Sequence, residues 1–164
     1  MAELADAFGN LASRVLAMLE QYRGGVVPAS AAPTALDRAG DGAIERYREA
    51  MDALLLHRGS ASAWELVSEA NAFVERQAPW SQAKTGDAAA LDSTLAALAR
   101  CLARLAVLSG PFIPGASAAL WSALGLTGSS QTAEAWRLAE SPAVAGTTTH
   151  KIPPLFPKTE VATA

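Results

Sequence analysis

The amino-acid sequence predicts an all-α fold, in which an antiparallel bundle of about five helices is followed by an extended C-terminal tail. Alanine and leucine dominate a chain of 164 residues, and β-branched runs are scarce. Most glycines and prolines fall between stretches of helical periodicity rather than inside them. Because 51% of the residues are hydrophobic and 18% are charged, burial can offset the entropy of folding. We therefore expect one helical domain over residues 1–142 and the tail over residues 143–164.

The first three helices are predicted from apolar residues that recur at intervals of three and four positions. One such run covers residues 4–22 and ends at the glycine pair 24–25, where a helix can terminate. A second run covers residues 36–55, and a third covers residues 64–74 before Pro79 blocks further helix. Each run indicates a helix with one face turned toward a shared core.

The second half of the chain predicts two more long helices and the tail. Residues 80–84 are expected to form a short turn, after which the leucine spacing over residues 91–105 predicts the most regular helix, at the centre of the bundle. A fifth helix is expected over residues 114–124, and a further short one over residues 135–138. Prolines force an extended conformation on residues 152–157, which we expect to pack along the bundle surface.

Charge and cysteine content limit the possible classes of function. The formal net charge is -3 and no segment is strongly basic, so any RNA binding must depend on local contacts. Arg100 and Arg104 interrupt the longest apolar run, which falls short of the roughly 20 residues that span a bilayer. A single cysteine, Cys101, and the lack of a charged-then-apolar leader fit a reducing compartment. We expect a cytoplasmic protein with no membrane partner.

The sequence contains no recognisable catalytic or metal-binding pattern. His57 and His150 have no second ligand at a suitable spacing, so we predict no metal site. Cys101 lies near the leucine stripe of the fourth helix, where a buried structural cysteine is the ordinary interpretation and a nucleophile without a base is the weaker one. Glycine loops that cradle phosphates are absent. We therefore predict a binding or structural module with no catalytic residue and no cofactor.

Three short stretches are more specific than this background. Residues 8–15 read Phe-Gly-Asn-Leu-Ala-Ser-Arg-Val, and residues 71–84 read Asn-x-Phe-Val-Glu-Arg-Gln-Ala-Pro-Trp-x-x-Ala-Lys. Residues 155–158 read Leu-Phe-Pro-Lys after a proline-rich approach. In this order, the three stretches resemble the C-terminal anticodon-binding domain of methionyl-tRNA synthetases, which belong to the class I aminoacyl-tRNA synthetases. The resemblance extends over essentially the whole chain.

The resemblance implies a role in translation, with the anticodon loop of initiator or elongator methionine tRNA as the partner. It implies that Asn10 and Arg14 make polar contacts with the CAU anticodon and that Trp80 stacks on it. Complete synthetases of this type also carry a catalytic domain with two ATP-binding signatures, one similar to His-Ile-Gly-His and one similar to Lys-Met-Ser-Lys-Ser, and neither occurs here. We therefore expect ATP and Mg²⁺ only in that catalytic domain, which would join this chain in cis or in trans. This chain alone is not expected to catalyse aminoacylation.

The physical character of these residues agrees with the implied roles. Asn10 and Arg14 are four positions apart and hence neighbours on one helix ridge, where an amide and a guanidinium are presented side by side. Both groups can form planar, two-pronged hydrogen bonds with the base edges that unpaired anticodon bases expose. Trp80 follows Pro79, which breaks a helix, so its ring can project and stack on a splayed base. Asn71 lies in the apolar stripe of its helix, and we expect it to hydrogen-bond to the backbone or to a neighbouring side chain, to hold the helices in register and so to act only indirectly.

Other interpretations remain open for the same residues. Taken singly, Arg14 is more often a solvated or salt-bridged surface residue, and a tryptophan after a proline is more often part of a core. Trp64, Trp121 and Trp136 are interpreted as core residues for that reason. An alternative function is a free-standing helical interaction or scaffold module that docks on a separate catalytic synthetase subunit. An enzyme with an unrecognised site is the least favoured hypothesis.

Overall fold

The computed structural model describes residues 2–156, with side chains from Leu4 onward, and these residues form seven helices. The all-α prediction is confirmed, since the only extended pairing within the described residues is an isolated bridge between Val26 and Thr148. In chain order, the helices are α1 (Ala2–Arg23), α2 (Ala35–Asp52), α3 (Leu56–Gln77), α4 (Pro79–Thr85), α5 (Ala88–Ser109), α6 (Pro114–Ala123) and α7 (Ala133–Glu140).

The number of helices exceeds the predicted five because two short ones are also present. The segment predicted as a turn over residues 80–84 is helix α4, which begins at Pro79 and ends at Thr85, with Gly86 as its C-terminal cap. Its seven residues make two turns, too few to show an apolar periodicity in the sequence. Helix α7 was expected over residues 135–138 and spans eight residues, because the Thr132 side chain caps its first turn by accepting from the Ala135 amide.

Contacts between side chains show that α1 and α3 run parallel. Near the start of both helices, the Phe8 and Trp64 rings meet edge to face with centroids 5.7 Å apart. Further along both helices, the Arg14 Nη2 atom lies 3.0 Å from the Glu75 Oε1 atom. Because the contacts advance in the same direction on both helices, the two axes are parallel. Their parallel course brings the polar ridge of α1 to the C-terminal end of α3.

Helices α2 and α5 run antiparallel to α1 and α3, so the bundle is antiparallel as predicted. Residues 53–55 connect α2 to α3, and the Arg46 Nη2 atom of α2 lies 3.6 Å from the Glu65 Oε2 atom of α3. A short connection of this kind places consecutive helices side by side in opposite directions. The central position predicted for α5 is also confirmed, because most of its residues are buried and its leucines at 95, 98, 102 and 105 are at most 1% exposed.

Two arginines of α5, which interrupt an apolar run in the sequence, connect this helix to α2. The Arg100 guanidinium donates to both carboxylate oxygens of Asp37, at 2.7 and 2.9 Å. One turn later, Arg104 is 4% exposed and donates to the Asp41 carboxylate and to the Asp37 carbonyl oxygen. Its guanidinium passes directly over Gly40, where any side chain would collide with it. These contacts fix α2 on the central helix.

The Asp37 carboxylate is expected to make the stability of the protein depend on pH. Burial raises the pKa of Asp37, but hydrogen bonds from Arg100 and Thr34 and the charge of Arg100 outweigh this effect, so the pKa lies below its ordinary value. Because the pKa is lowered in the folded state, the ionised carboxylate stabilises the protein at pH values above its ordinary pKa of about 3.9. This stabilisation is lost as the pH falls below that value. We expect Asp37→Asn to lower the free energy of unfolding at pH 7 by about 1–3 kcal/mol. In urea titrations, the difference in the free energy of unfolding between Asp37→Asn and the wild type should become smaller below pH 4. A difference that does not change with pH would contradict this account.

After α7, the described residues form a strap without a helix that returns to the end of α1. The Val27 amide donates to the Thr147 carbonyl oxygen at 3.0 Å, and the Thr149 amide donates to the Gly25 carbonyl oxygen at 2.7 Å. Further along, the Phe156 ring packs on Phe8 with centroids 6.2 Å apart. The strap therefore closes over the bundle next to the N-terminal half of α1. Residues 157–158 of the Leu-Phe-Pro-Lys stretch lie outside the described residues.

No helix within residues 2–156 combines the length and the apolarity that crossing a membrane requires. The same part of the chain holds no group of three or more His, Cys, Asp or Glu side chains placed to bind a metal ion. Cys101 is buried in α5, and burial raises the pKa of its thiol to about 12, with the Arg104 charge opposing and the Asp37 charge adding to this effect. This thiol stays protonated at neutral pH and is not an activated nucleophile.

Candidate nucleic-acid interface

Trp80 is exposed because the backbone turns sharply at the residue pair before it. Ala78 has φ 46° and ψ 65°, a left-handed conformation that is unfavourable for a residue with a side chain and more so before a proline. Its amide closes α3 by donating to the Val74 carbonyl oxygen, and its own carbonyl oxygen accepts from the Ser81 amide to begin α4. Pro79 occupies the first position of α4. Trp80, in the next position, is 44% exposed and does not belong to the buried core.

Arg14 reaches Trp80 from the neighbouring helix α1. The central carbon of its guanidinium lies 6.0 Å from the centroid of the Trp80 ring, within the range of a cation–π interaction. The Nη2 atom donates to the Glu75 carboxylate at 3.0 Å, and both side chains of this ion pair are largely exposed. The structure thus brings together an indole, a guanidinium and a carboxylate from three different helices, which we call the Trp80 cluster (Arg14, Glu75 and Trp80).

Asn10 lies one helical turn before Arg14 on α1, and it is exposed. The two residues therefore share the ridge that their spacing predicts. The fold brings Arg14 and Trp80 into direct contact, whereas Asn10 extends the same surface along α1. The arrangement offers a flat aromatic face beside two planar groups that can donate hydrogen bonds. Such a surface suits unpaired nucleobases, whose faces stack and whose edges accept and donate hydrogen bonds.

A second arginine–tryptophan–glutamate group shows how a tryptophan with a structural role, Trp136, differs from Trp80. Arg48 lies over Trp136 at 5.6 Å, and both residues bind the Glu140 carboxylate, the indole Nε1 atom at 2.6 Å. The Tyr47 ring also stacks on Trp136 with centroids 6.0 Å apart. Trp136 is thereby covered and hydrogen-bonded, and it fixes α7 to α2. Trp80 is more exposed than this covered indole, so its ring is available to a ligand.

The remaining tryptophans pack on the core as the sequence predicts. Trp121 is 5% exposed, and its indole Nε1 donates to the Thr127 carbonyl oxygen at 3.1 Å. Trp64 is half-buried against Phe8. Asn71 uses its side-chain amide to donate to the Val67 carbonyl oxygen at 3.2 Å, one turn back on the same helix. That bond lies within α3, so it does not itself hold neighbouring helices together.

Glu75 is the residue of the cluster that sequence reasoning missed. It lies inside the Asn71–Lys84 stretch, but nothing in its spacing distinguishes it from the other exposed charges of α3. Its importance follows only from the parallel packing of α1 on α3, which places its carboxylate on Arg14. The carboxylate accepts a hydrogen bond that Arg14 could otherwise donate to a base. It also adds negative charge to a surface that would lie near the phosphates of a bound RNA. It therefore opposes nucleic-acid binding at this surface.

Residues 26–160 match a sequence family described as the anticodon binding domain of methionyl tRNA ligase. This range contains Glu75 and Trp80, whereas Asn10 and Arg14 precede it. Comparisons with individual proteins extend further along the chain. The methionine–tRNA ligase of Enterococcus faecalis is 32% identical over 167 aligned positions, which cover 98% of this chain and 25% of that protein. That of Mesorhizobium japonicum is 38% identical over 123 positions, covering 73% of this chain and 24% of that protein.

Solved structures show the same similarity in three dimensions. The methionyl-tRNA synthetase of Mycobacterium tuberculosis in its free state has a TM-score of 0.84 and 26% identity, covering 96% of this chain and 33% of that chain. Its methionyl-adenylate-bound form has a TM-score of 0.82 and 27% identity. The chain therefore spans about a quarter to a third of the length of these relatives.

Proposed function

Because the chain belongs to the family of anticodon-binding domains of methionyl-tRNA ligases, we propose that it recognises the CAU anticodon of methionine tRNA through Asn10, Arg14 and Trp80. In this proposal, Trp80 stacks on an unpaired base, and the side chains of Asn10 and Arg14 hydrogen-bond to base edges. The observation that carries the proposal is the exposed Trp80 ring with the Arg14 guanidinium 6.0 Å from its centroid. Stacking of this kind contributes about 1–3 kcal/mol per base.

The catalytic part of the proposed activity lies outside this chain. Since the chain spans only a quarter to a third of its relatives, we propose that aminoacylation, with its ATP and Mg²⁺, depends on a catalytic domain joined in cis or in trans. We assign this chain no catalytic residue and no cofactor. Its place of action is then the cytoplasm, where tRNA is charged. The family match favours this function over the alternative of a scaffold without RNA.

A titration with two RNA stem-loops tests the proposal. One carries the anticodon CAU, and the other differs only in the first anticodon base. We expect the CAU stem-loop to quench tryptophan fluorescence and to bind more tightly than its partner, because base-edge contacts discriminate between bases. The net charge of -3 makes weak overall binding the expected result for the isolated chain. Equal quenching and equal affinity for the two stem-loops would contradict the proposal.

Glu75→Gln is expected to strengthen binding of the CAU stem-loop about two- to fivefold. The substitution frees the Arg14 guanidinium from its ion pair and removes a negative charge from the cluster. The gain is small because ion pairs between exposed side chains are worth at most about 1 kcal/mol. Fluorescence titration of mutant and wild type at the same salt concentration measures it.

Glu65→Gln provides a matched control for this experiment. Glu65 lies on the same helix with a side-chain exposure of 62%, against 63% for Glu75, and it also pairs with an arginine, Arg46. The control removes the same charge ten residues away without touching Arg14. It is expected to change affinity less than Glu75→Gln does. An equal gain from both variants would assign the effect to net charge and remove the specific role of Glu75.

A further inference from the structure

The last described residue of the strap places an aromatic ring on α1 beside Asn10. The Phe156 ring packs on Phe8 with centroids 6.2 Å apart. At the next residue of α1, Gly9, a β-carbon would lie 3.4 Å from the Cδ2 atom of Phe156. Because Gly9 has no side chain, the ring approaches the helix backbone at the position immediately before Asn10. The strap therefore reaches the part of α1 that carries a proposed anticodon contact.

Phe156 is one of two aromatic rings that pack on Phe8. The Trp64 ring of α3 meets Phe8 edge to face with centroids 5.7 Å apart. Phe8 itself is 1% exposed, whereas Phe156 is half-buried against the core. Aromatic rings at these separations attract each other in addition to the gain from burial. The N-terminal half of α1 is thus held at Phe8 both by α3 and by the strap.

The contact between Phe156 and α1 lies much closer to Asn10 than to Arg14. Asn10 is two residues after Phe8, or about 3 Å along the helix axis, whereas Arg14 is six residues after Phe8, or about 9 Å. Arg14 also has its own contacts with Glu75 and Trp80, which do not involve the strap. Asn10 is exposed, so the backbone of α1 sets where its amide points. A change at Phe156 is therefore expected to affect Asn10 more strongly than Arg14.

We propose that Phe156 is a positioning residue for anticodon recognition, whose ring holds the turn of α1 around Asn10 in the orientation that binds a base. A side chain that is already held in its bound orientation loses less freedom on binding, which raises the affinity. Without the Phe156 ring, Phe8 loses one of its two aromatic contacts, and the Asn10 amide is less well oriented. Because the proposed function assigns Asn10 to RNA, this role of Phe156 rests on that function.

Substitution of Phe156 in the full chain tests the proposal. Phe156→Ala is expected to weaken binding of the CAU stem-loop about two- to tenfold in a calorimetric titration, which corresponds to the ordering of one side chain. Phe156→Tyr keeps the ring and should retain the wild-type affinity. Ile152→Ala is the matched control, because Ile152 lies in the same strap and is half-buried against the same core. The control should leave the affinity unchanged, and an equal loss from both alanine variants would overturn the proposal.

The NMR spectrum of the RNA-free protein gives a second measurement, which does not depend on affinity. In ¹H–¹⁵N spectra, Phe156→Ala is expected to shift the backbone and side-chain amide signals of Asn10, with the indole signal of Trp80 nearly unchanged. Signals that change equally throughout the bundle would assign the ring to general stability and overturn the proposal. Phe156→Leu keeps an apolar side chain without the ring, so it replaces Phe156→Ala if that variant does not fold, with the same pattern expected.

A double-mutant cycle shows whether Phe156 acts through Asn10. Once Asn10→Ala has removed the amide, Phe156→Ala should cost little further affinity for the CAU stem-loop, so the two effects should not be additive in free energy. When Trp80→Phe is the starting variant, Phe156→Ala should cost the same factor as in the wild type. The same loss in the presence of Asn10→Ala would overturn the role of Phe156 alone. An Asn10→Ala variant that binds as tightly as the wild type would overturn this role together with the proposed contact of Asn10.

Discussion

Trp80→Ala is expected to weaken binding of the CAU stem-loop by about 1–3 kcal/mol, or roughly 5- to 150-fold, while leaving the fold intact. Trp80 is 44% exposed and lies outside the core cluster, so removal of its ring leaves no cavity in the core. The loss arises from stacking on a base and from the contact that holds the Arg14 guanidinium beside the ring. Because this variant lacks the tryptophan whose fluorescence the RNA is expected to quench, calorimetric titration measures the affinity. Circular dichroism measures the helical content.

Two further variants separate stacking from structural effects. Trp80→Phe keeps an aromatic face and should retain most of the affinity. Trp136→Ala removes the tryptophan of the second arginine–tryptophan–glutamate group and should lower the stability of the domain without weakening RNA binding of the folded protein. Loss of helical content in Trp80→Ala would show that the ring belongs to the core. Unchanged affinity in a folded Trp80→Ala variant would remove Trp80 from the binding site.

Gly40→Ala is expected to produce the largest loss of stability, about 2–4 kcal/mol. A β-carbon at this position would overlap the Nη1 atom of Arg104, which donates to the Asp37 carbonyl oxygen. Arg104 is 4% exposed, and its guanidinium cannot move into solvent without losing its hydrogen bonds to α2. Disturbing a buried charge that is held by specific hydrogen bonds is costly because the charge is left without partners. Urea unfolding at pH 7 measures the change.

Gly42→Ala is the matched control on the same helix. Its β-carbon would meet only the end of the Arg46 side chain, at 3.1 Å, and that flexible side chain can move aside. Alanine is favoured over glycine inside a helix by up to about 1 kcal/mol. Gly42→Ala is therefore expected to stabilise the protein slightly, in the direction opposite to Gly40→Ala. A loss from both substitutions would show that the collision with Arg104 is not the cause.

The long helices were predictable because each carries a strong apolar period. The leucines of α5 and the run over residues 4–22 indicate their helices without reference to the rest of the chain. Helix α4 could not be recognised in this way, because a seven-residue helix has no second repeat. The burial of Arg104 was equally hidden. Its charge suggests solvent, and only the packing of α2 at Gly40 provides the space and the oxygen atoms that receive it.

The candidate site shows the same division between local and tertiary information. The ridge of Asn10 and Arg14 follows from helical spacing, and the exposure of Trp80 was expected from the break at Pro79. The left-handed conformation of Ala78, which starts α4 at that break, has no signal in the residue type. The pairing of Glu75 with Arg14 depends on how α1 packs on α3. Contacts between helices of this kind cannot be read from spacing along one helix.

Binding of unstacked bases by Asn10, Arg14 and Trp80 is tested most directly by the indole N–H signals of the four tryptophans. In a ¹H–¹⁵N spectrum, each indole N–H gives one signal, which substitution by phenylalanine assigns. Addition of the CAU stem-loop is expected to shift the Trp80 signal strongly, with the signals of Trp64, Trp121 and Trp136 nearly unchanged. A stem-loop with an altered first anticodon base should shift it less at equal concentration. Shifts centred on Trp64 or Trp136, or a Trp80 signal that does not respond to either RNA, would contradict the account.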